Sequence, residues 1–181
     1  TGLHSLTGVL VATGPGEPAA TRWRFALDAG GDLRLAGPAQ DDLLAYDAST
    51  GVVRSTQHSA SLGGSTLFYA ERRGVAPGAP DQGPPTWALP EQYGAFVRAA
   101  LAAGAPGVQQ TTYRDRAAWA LDVDTTPNAI VPDLSGDHLR IIVDQTTGMP
   151  VQILETKHGA LLRELRIDHL VVDPPLPAGT F

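Results

Sequence analysis

The chain has 181 residues, 43% of them hydrophobic and 18% charged, so it can bury one sizeable core and is not intrinsically disordered. Its formal net charge is −6 and no basic stripe runs along it, which argues against a nucleic-acid partner. It has no cysteine, which excludes disulfides and thiolate chemistry, and no apolar run approaches the roughly 20 residues of a membrane-spanning helix. We expect a single domain over residues 1–181, monomeric and without a transmembrane segment.

The first third of the chain predicts antiparallel strands. Within residues 22–28, Trp23, Phe25 and Leu27 alternate with charged residues, and this period of two is typical of a strand with one buried face. Further candidate strands are residues 5–11, 32–35, 43–46 and 52–56. Links such as residues 29–31 contain glycine and are too short for a parallel crossover, so the predicted sheet is antiparallel.

The middle of the chain breaks this pattern. Residues 58–90 are rich in Gly, Pro and Ser, and they predict a long irregular loop. Within that loop, residues 67–73 are compatible with one or two helical turns. Residues 91–103 then predict the main amphipathic helix, because apolar residues recur at helical spacing between Pro90 and Gly104.

Strand-like alternation returns after the helix. The predicted strands are residues 108–113, 119–124, 138–144, 151–154 and 161–169, with short turns between them. With the strands of the first third, the total is about ten. The sequence therefore predicts a mainly β (α+β) fold, an antiparallel sheet with one helix.

Segments at both ends of the chain carry a family resemblance. Residues 139–151 read as a strand followed by an Asp-x-x-Thr-Gly-hydrophobic-Pro hairpin that begins at Asp144. Residues 171–181 form a proline-rich closing segment, and residues 5–11 a first strand. In these segments, and in its order of meander, loop, helix and second meander, the chain resembles the LolA-like superfamily. That superfamily contains periplasmic lipoprotein carriers, LppX-type mycobacterial lipoproteins and the RseB/MucB sigma-factor regulators.

The resemblance implies a strongly bent antiparallel sheet that forms a half-open barrel, with the long loop and the helix over its mouth. Members of the superfamily use that interior to hold acyl chains or other apolar ligands outside the cytoplasm. A single lysine among many arginines, with abundant alanine, glycine and proline, indicates a GC-rich genome, and together with the resemblance it leads us to expect an actinobacterial source. The helix that precedes the first strand in the family has no counterpart here. We expect either an incomplete lid or a domain of a longer, membrane-anchored protein.

The apolar strand and helix faces have two interpretations. On the residues alone they are ordinary core, because inward-facing residues of a sheet normally pack together. The resemblance instead implies that they line a ligand cavity, with the helix face as its lid. The candidate lining residues are Trp23, Phe25, Leu27, Tyr93, Phe96, Val97, Leu101, Trp119, Leu121, Ile141, Ile153 and Leu165.

The sequence carries no catalytic motif. It lacks a Gly-x-Ser-x-Gly elbow, a phosphate-binding glycine loop and histidines at metal-ligand spacing, and His138 and His158 are interpreted as polar residues at strand ends. Asp122, Asp124 and Asp133 are candidates for a Ca²⁺ or acid–base site, but an exposed acidic strand face is the better interpretation. We expect no catalytic residue, metal site or cofactor and no enzyme activity, with a hydrolase as the least supported alternative.

Two binding functions remain open. The first is a non-catalytic extracytoplasmic domain that holds a lipid, an acyl chain or the acyl group of a lipoprotein, as in transport. The alternative is a sensor or regulatory domain of an anti-sigma or other membrane-anchored signalling protein that binds a protein partner. Both can hold, since a ligand can tune a partner. Arg72, Arg73 and Arg98 are candidates for contact with an anionic head group, although solvated surface is the better interpretation.

Overall fold

The computed structural model of the chain describes residues 3–14, 19–37, 43–59, 66–75, 107–124 and 136–181. Those residues form eleven strands: β1 (Ser5–Thr13), β2 (Thr21–Asp28), β3 (Leu33–Ala36), β4 (Leu43–Asp47), β5 (Val52–Ser59), β6 (Thr66–Arg72), β7 (Gln109–Tyr113), β8 (Arg116–Asp124), β9 (His138–Asp144), β10 (Pro150–Lys157) and β11 (Ala160–Val172). The predicted helix over 91–103 lies outside the described residues. No helix capable of crossing a membrane occurs within the described ranges.

The strands belong to one sheet in the order β6-β5-β4-β3-β2-β1-β11-β10-β9-β8-β7. The pairings from β2 to β6 and from β7 to β11 are antiparallel, which confirms the predicted sheet type. The order ends at β6 and β7 rather than returning on itself, so the sheet is open. Its bend into a half-open barrel stays a prediction.

Two hairpins have the tight turns that the sequence predicts. Between β7 and β8, Arg114 and Asp115 have φ angles of 47° and 65°. Between β10 and β11, His158 and Gly159 have φ angles of 50° and 77°. Positive φ at both central residues matches the twist of the flanking strands, which is why such two-residue turns suit hairpins.

The expectation of helical turns over residues 67–73 is wrong, because this stretch forms strand β6. β6 pairs along its length with β5, with Thr56 opposite Tyr69 and Arg54 opposite Glu71. The segment contains Phe68 and Tyr69, and aromatic residues fit a pleated surface well. A short apolar run is ambiguous between helix and strand until a pairing partner is known, and β5, which extends to Ser59, supplies that partner. β6 therefore lies inside the segment that was predicted to be irregular.

The contacts of the chain cluster into two compact units. Unit 1 comprises Thr1–Leu10, Thr21–Thr86 and Asp168–Phe181. Phe25, Leu35 and Leu44 lie opposite one another on β2, β3 and β4 and are at most 7% exposed, so they form a continuous core row. The predicted inward position of Phe25 is confirmed.

Unit 2 comprises Val11–Ala20 and Trp87–Ile167. Its core contains the inward-facing residues of β8 to β11, among them Leu121, Leu139, Ile141, Ile153 and Leu165. Ala118 and Ala120, on the other face of β8, are also buried, so both faces of this strand are covered at that point. The chain was predicted as one domain, and that remains a prediction.

The closing segment that carries part of the family resemblance is attached to the first strand within unit 1. The carboxylate of Asp173 accepts hydrogen bonds from the backbone N–H groups of His4 at 2.6 Å and Ser5 at 3.0 Å. Ser5 Oγ donates to the carbonyl of Pro174 at 2.8 Å. The two backbone donors hold the pKa of Asp173 below its ordinary value. Asp173 and Pro174 thus have a structural role at the start of the closing segment.

The Asp-x-x-Thr-Gly hairpin is organised by a buried carboxylate within unit 2. Asp144 is 1% exposed, and its Oδ1 accepts from Thr147 N at 2.8 Å and from Thr147 Oγ1 at 3.0 Å. Arg116 Nε lies 2.6 Å from Asp144 Oδ2. Gly148 follows with a φ of 69°, a conformation that glycine adopts without strain. The second part of the family resemblance is therefore also a structural feature.

Candidate functional site

The candidate site is the inward face of strands β8 to β11 in unit 2, called here the β8–β11 face. Cross-strand partners in an antiparallel sheet project to the same side, so the register defines its rows. Leu121, Ile141, Ile153 and Leu165 are successive partners and form the middle row. Their exposed fractions are 2%, 0%, 4% and 5%, so this row is the driest part of the face.

The β8–β11 face is exposed at one corner, on β8, whereas Val151 and Ile167 at the same end of β10 and β11 are buried. Trp119 lies two residues before Leu121 on the same side of β8 and is opposite Val143 of β9. It is 39% exposed, whereas the middle row beside it is nearly inaccessible. A large aromatic side chain at the edge of a dry apolar surface can interact both with hydrocarbon and with water.

The other end of the face carries a charged pair. Glu155 lies opposite Leu139 of β9 and Arg163 of β11, two positions beyond Ile153. Glu155 is 1% exposed, and its Oε2 lies 3.3 Å from Arg163 Nε. Burial of a carboxylate is costly unless a cation and hydrogen bonds compensate it.

Gly136 completes this charged end. Its backbone N–H donates to Glu155 Oε1 at 2.6 Å. A Cβ at position 136 would lie 2.5 Å from the carbonyl oxygen of Thr156 and 2.6 Å from Glu155 Cγ, so only glycine allows this approach. The β8–β11 face is therefore apolar over two rows and charged at one corner.

The predicted lining residues have different environments. Phe25, Leu121, Ile141, Ile153 and Leu165 are buried, Trp23 and Leu27 are half-buried, and Trp119 is exposed. Trp23, Phe25 and Leu27 belong to unit 1, whereas the residues of the β8–β11 face belong to unit 2. The four helix residues, Tyr93, Phe96, Val97 and Leu101, lie outside the described residues. Whether the set lines a cavity stays a prediction.

The acidic residues at the end of β8 contact basic side chains. His138 Nδ1 lies 3.1 Å from Asp124 Oδ1, and Arg140 Nη1 lies 3.3 Å from Asp122 Oδ2. His158 contacts Asp137 at 3.2 Å. Asp133 lies outside the described residues. Across the described part of the chain, no group of three or more His, Cys, Asp or Glu side chains could hold a metal ion.

Sequence reasoning missed the charged corner of the face. The signal was present, because Val151, Ile153 and Glu155 alternate along β10 and place a carboxylate on the inward side. A period-two pattern predicts this placement directly. The contribution of Gly136 had no such signal, since it depends on a contact with Glu155 across 19 positions of the chain.

Comparison with known proteins gives matches among solved structures only. No protein-family model and no curated protein matches the chain. It is similar to a crystal structure of MucB at 16% identity, with a TM-score of 0.46, covering 97% of this chain and 55% of that one. The MucA/MucB complex of Pseudomonas aeruginosa gives 20% identity, a TM-score of 0.48 and coverages of 97% and 54%. A complex of MucB with MucA(peri) gives 21% identity, a TM-score of 0.46 and coverages of 98% and 54%.

The chain thus spans about half the length of the solved chains that it matches. The actinobacterial source is not addressed by these matches and stays a prediction. All three structures contain MucB.

Proposed function

We propose that the chain is a non-catalytic, extracytoplasmic binding domain that holds an apolar ligand, a lipid or an acyl chain, on the β8–β11 face. The observation that carries this proposal is the 39% exposure of Trp119 at the end of an otherwise dry apolar face. A hydrocarbon chain that contacts an exposed tryptophan can transfer from water to the buried aliphatic side chains beside it.

The energetics of hydrocarbon burial support such a ligand. Each buried methylene contributes about 0.8 kcal/mol, so a 16-carbon chain gains on the order of 10 kcal/mol before the costs of ordering. The charged pair of Glu155 and Arg163 lies at the opposite end of the face from Trp119. A ligand that enters beside Trp119 therefore contacts the apolar side chains of the face before it reaches the charged pair.

Titration with dansyl-undecanoic acid, a fluorescent fatty acid, tests this function. Trp119→Ser should weaken binding about tenfold, which corresponds to roughly 1.4 kcal/mol. The substitution should leave the fold intact, because the side chain is already partly in water. Val171→Ser, at an apolar residue of unit 1 that is 48% exposed, is the matched control and should bind like the wild type.

Native mass spectrometry with palmitic acid gives an independent readout. A retained adduct that the Trp119→Ser variant loses would agree with the proposal. The proposal fails if the wild-type chain takes up neither fatty acid, or if the wild type and Trp119→Ser take up equal amounts. Either result would show that the β8–β11 face is only core.

A second candidate function is binding of a protein partner, as in a regulatory domain of a membrane-anchored signalling protein. The observation that favours it is a run of three exposed apolar residues in β6: Leu67, Phe68 and Tyr69 are 51%, 57% and 62% exposed. This run belongs to unit 1, and the β8–β11 face belongs to unit 2. The two functions can therefore be tested separately in the same chain.

A further inference from the structure

Strand β6 is an edge strand among the strands that the structure describes. It is last in the strand order, and among the described strands it pairs only with β5. An edge strand presents a row of unpaired backbone N–H and C=O groups, which is a template for another strand. Peptide recognition by strand addition uses such an edge for affinity and the alternating side chains for specificity.

The apolar side chains of β6 suit this use. Leu67 and Tyr69 project to one face of the strand and Phe68 to the other, and each is more than half exposed. Natural edge strands are usually protected by charges, prolines or bulges, and these three positions carry none of them. An added strand would cover apolar surface on both faces, because cross-strand neighbours contact each other on each side of a sheet.

The end of β6 is fixed in place by contacts within unit 1. Val75 N donates to the carbonyl of Gly51 at 2.9 Å, and Tyr46 Oη donates to the carbonyl of Val75 at 3.2 Å. These bonds hold the chain that leaves β6 against the turn between β4 and β5. A strand whose end is already held has less freedom to lose when a partner binds, which lowers the cost of association.

Charge selects the kind of partner. Glu71 is shared by Arg54, at 3.2 Å, and Arg73, at 2.9 Å, so this cluster of two cations and one anion carries a net charge of +1. The cluster lies at the C-terminal end of β6 on a chain whose formal net charge is −6. A second copy of the chain would bring another −6, whereas a segment with carboxylates near the exposed Arg73 is complementary.

We propose that the outer edge of β6 binds an extended segment of a partner protein by antiparallel strand addition. The segment has acidic residues at its N-terminal end, near Arg73 at the C-terminal end of β6, followed by alternating apolar residues that cover Leu67, Phe68 and Tyr69. The inference specifies the second candidate function, partner binding, and is independent of the apolar-ligand proposal.

Two synthetic peptides test the edge directly. Each is an alternating valine–threonine octapeptide with a C-terminal fluorescein, preceded by two aspartates in one peptide and by two lysines in the other. Fluorescence anisotropy at low salt should show about tenfold tighter binding of the aspartate peptide, and 0.5 M salt should reduce this preference because the charges are exposed.

Three variants locate the binding. Phe68→Lys should abolish binding of both peptides, since a charge on an edge strand opposes strand addition. Arg73→Glu should remove or reverse the preference for aspartate, because Arg73 is 81% exposed beside Glu71. Arg24→Glu, the same charge change at an exposed position of β2, is the control and should leave the preference unchanged. Circular dichroism verifies that each variant is folded.

Hydrogen exchange identifies the segment that is covered. The aspartate peptide should slow amide exchange within residues 67–72. The proposal is overturned if neither peptide binds, if Phe68→Lys binds like the wild type, or if protection appears elsewhere. Dansyl-undecanoic acid binding by the Arg73→Glu variant should equal that of the wild type, so a failure of the peptide test is distinguishable from a failure of the apolar-ligand test.

Discussion

The buried carboxylate of Asp144 lies beside fixed hydrogen-bond donors. Asp144 receives two hydrogen bonds from Thr147 and a charge-assisted pair from Arg116. Burial alone raises the pKa of Asp144, but the Arg116 guanidinium and the Thr147 donors outweigh it and hold the pKa below its ordinary value. The ionised carboxylate is therefore part of the native hairpin rather than a reactive group.

The substitution Arg116→Met tests whether the stability of the hairpin depends on the ionised carboxylate of Asp144. Without the cation, burial dominates and the pKa of Asp144 rises, so the variant should lose about 3 kcal/mol of unfolding free energy at pH 7. A carboxylate with a depressed folded-state pKa contributes stability above the ordinary pKa of about 4, and that contribution is lost as the pH falls through the folded-state value. The deficit of the variant should therefore be smaller at pH 3 than at pH 7.

Urea unfolding of wild type, Arg116→Met and the control Arg24→Met at both pH values measures this effect. The control removes an exposed arginine from β2 and should lie within about 0.5 kcal/mol of the wild type. A deficit that is the same at pH 3 and pH 7 would mean that lost packing, rather than the charge of Asp144, is responsible.

At the scale of the element, the closing segment depends on one carboxylate. Asp173 accepts from two backbone donors of β1 and its flank, and its own N–H donates to the carbonyl of Ser5 at 2.8 Å. His4 and Ser5 are far from Asp173 in the sequence. These hydrogen bonds are therefore long-range contacts that attach the closing segment to the start of β1. The acidic group therefore stabilises an element boundary rather than the interior of a strand.

Asp173→Asn should loosen this boundary without unfolding the sheet. The amide keeps one acceptor oxygen but loses the charge that strengthens both hydrogen bonds. Amide hydrogen exchange at His4 and Ser5 should become faster than in the wild type, while exchange at Leu165 in unit 2 should not change. Asp115→Asn, in the exposed β7–β8 turn, is the matched control and should leave all three amides unaffected.

Sequence patterns predicted most strands because burial on one face imposes a period of two. Leu165 and Ile167 alternate with charged residues and are both buried, as the pattern indicates. β6 was not recognised, because its identity depends on pairing with β5 rather than on its own residues. The burial of Ala118 and Ala120 was missed for a related reason, since alternation cannot reveal a strand that is covered on both faces.

The binding residues were harder to predict than the strands. An inward-facing Leu or Ile has the same pattern whether it packs against protein or lines a cavity, so periodicity cannot separate the two. The charged corner at Glu155 was readable from alternation, whereas the exposure of Trp119 depends on which neighbours cover it. Which side chains are exposed and which are buried depends on tertiary contacts, and the residue pattern of a single strand does not encode these contacts.

At the scale of the molecule, two strands contribute to both compact units. The division falls between Leu10 and Val11 in β1 and between Ile167 and Asp168 in β11. Because the backbone of these strands is continuous across the division, loss of either strand removes part of both cores. We expect the units to unfold together in a single cooperative transition.

Urea titration followed by amide NMR tests this expectation. The native signals of Leu35, in unit 1, and Ile141, in unit 2, should disappear with the same midpoint. Phe25→Ala should lower both midpoints together, although it removes core only from unit 1. Separate midpoints in the wild type would show that the units are independently stable.

The strand order also determines when each strand can pair during synthesis of the polypeptide. Every neighbouring pair except β1–β11 joins strands that follow each other along the chain, so those pairs can form as soon as each is synthesised. Among the described strands, β1 is synthesised first, yet one of its edges pairs with β11, which is synthesised last. Until β11 is made, a strand that contains Leu6, Leu10 and Val11 has an unpaired edge, which is an aggregation hazard for the incomplete chain.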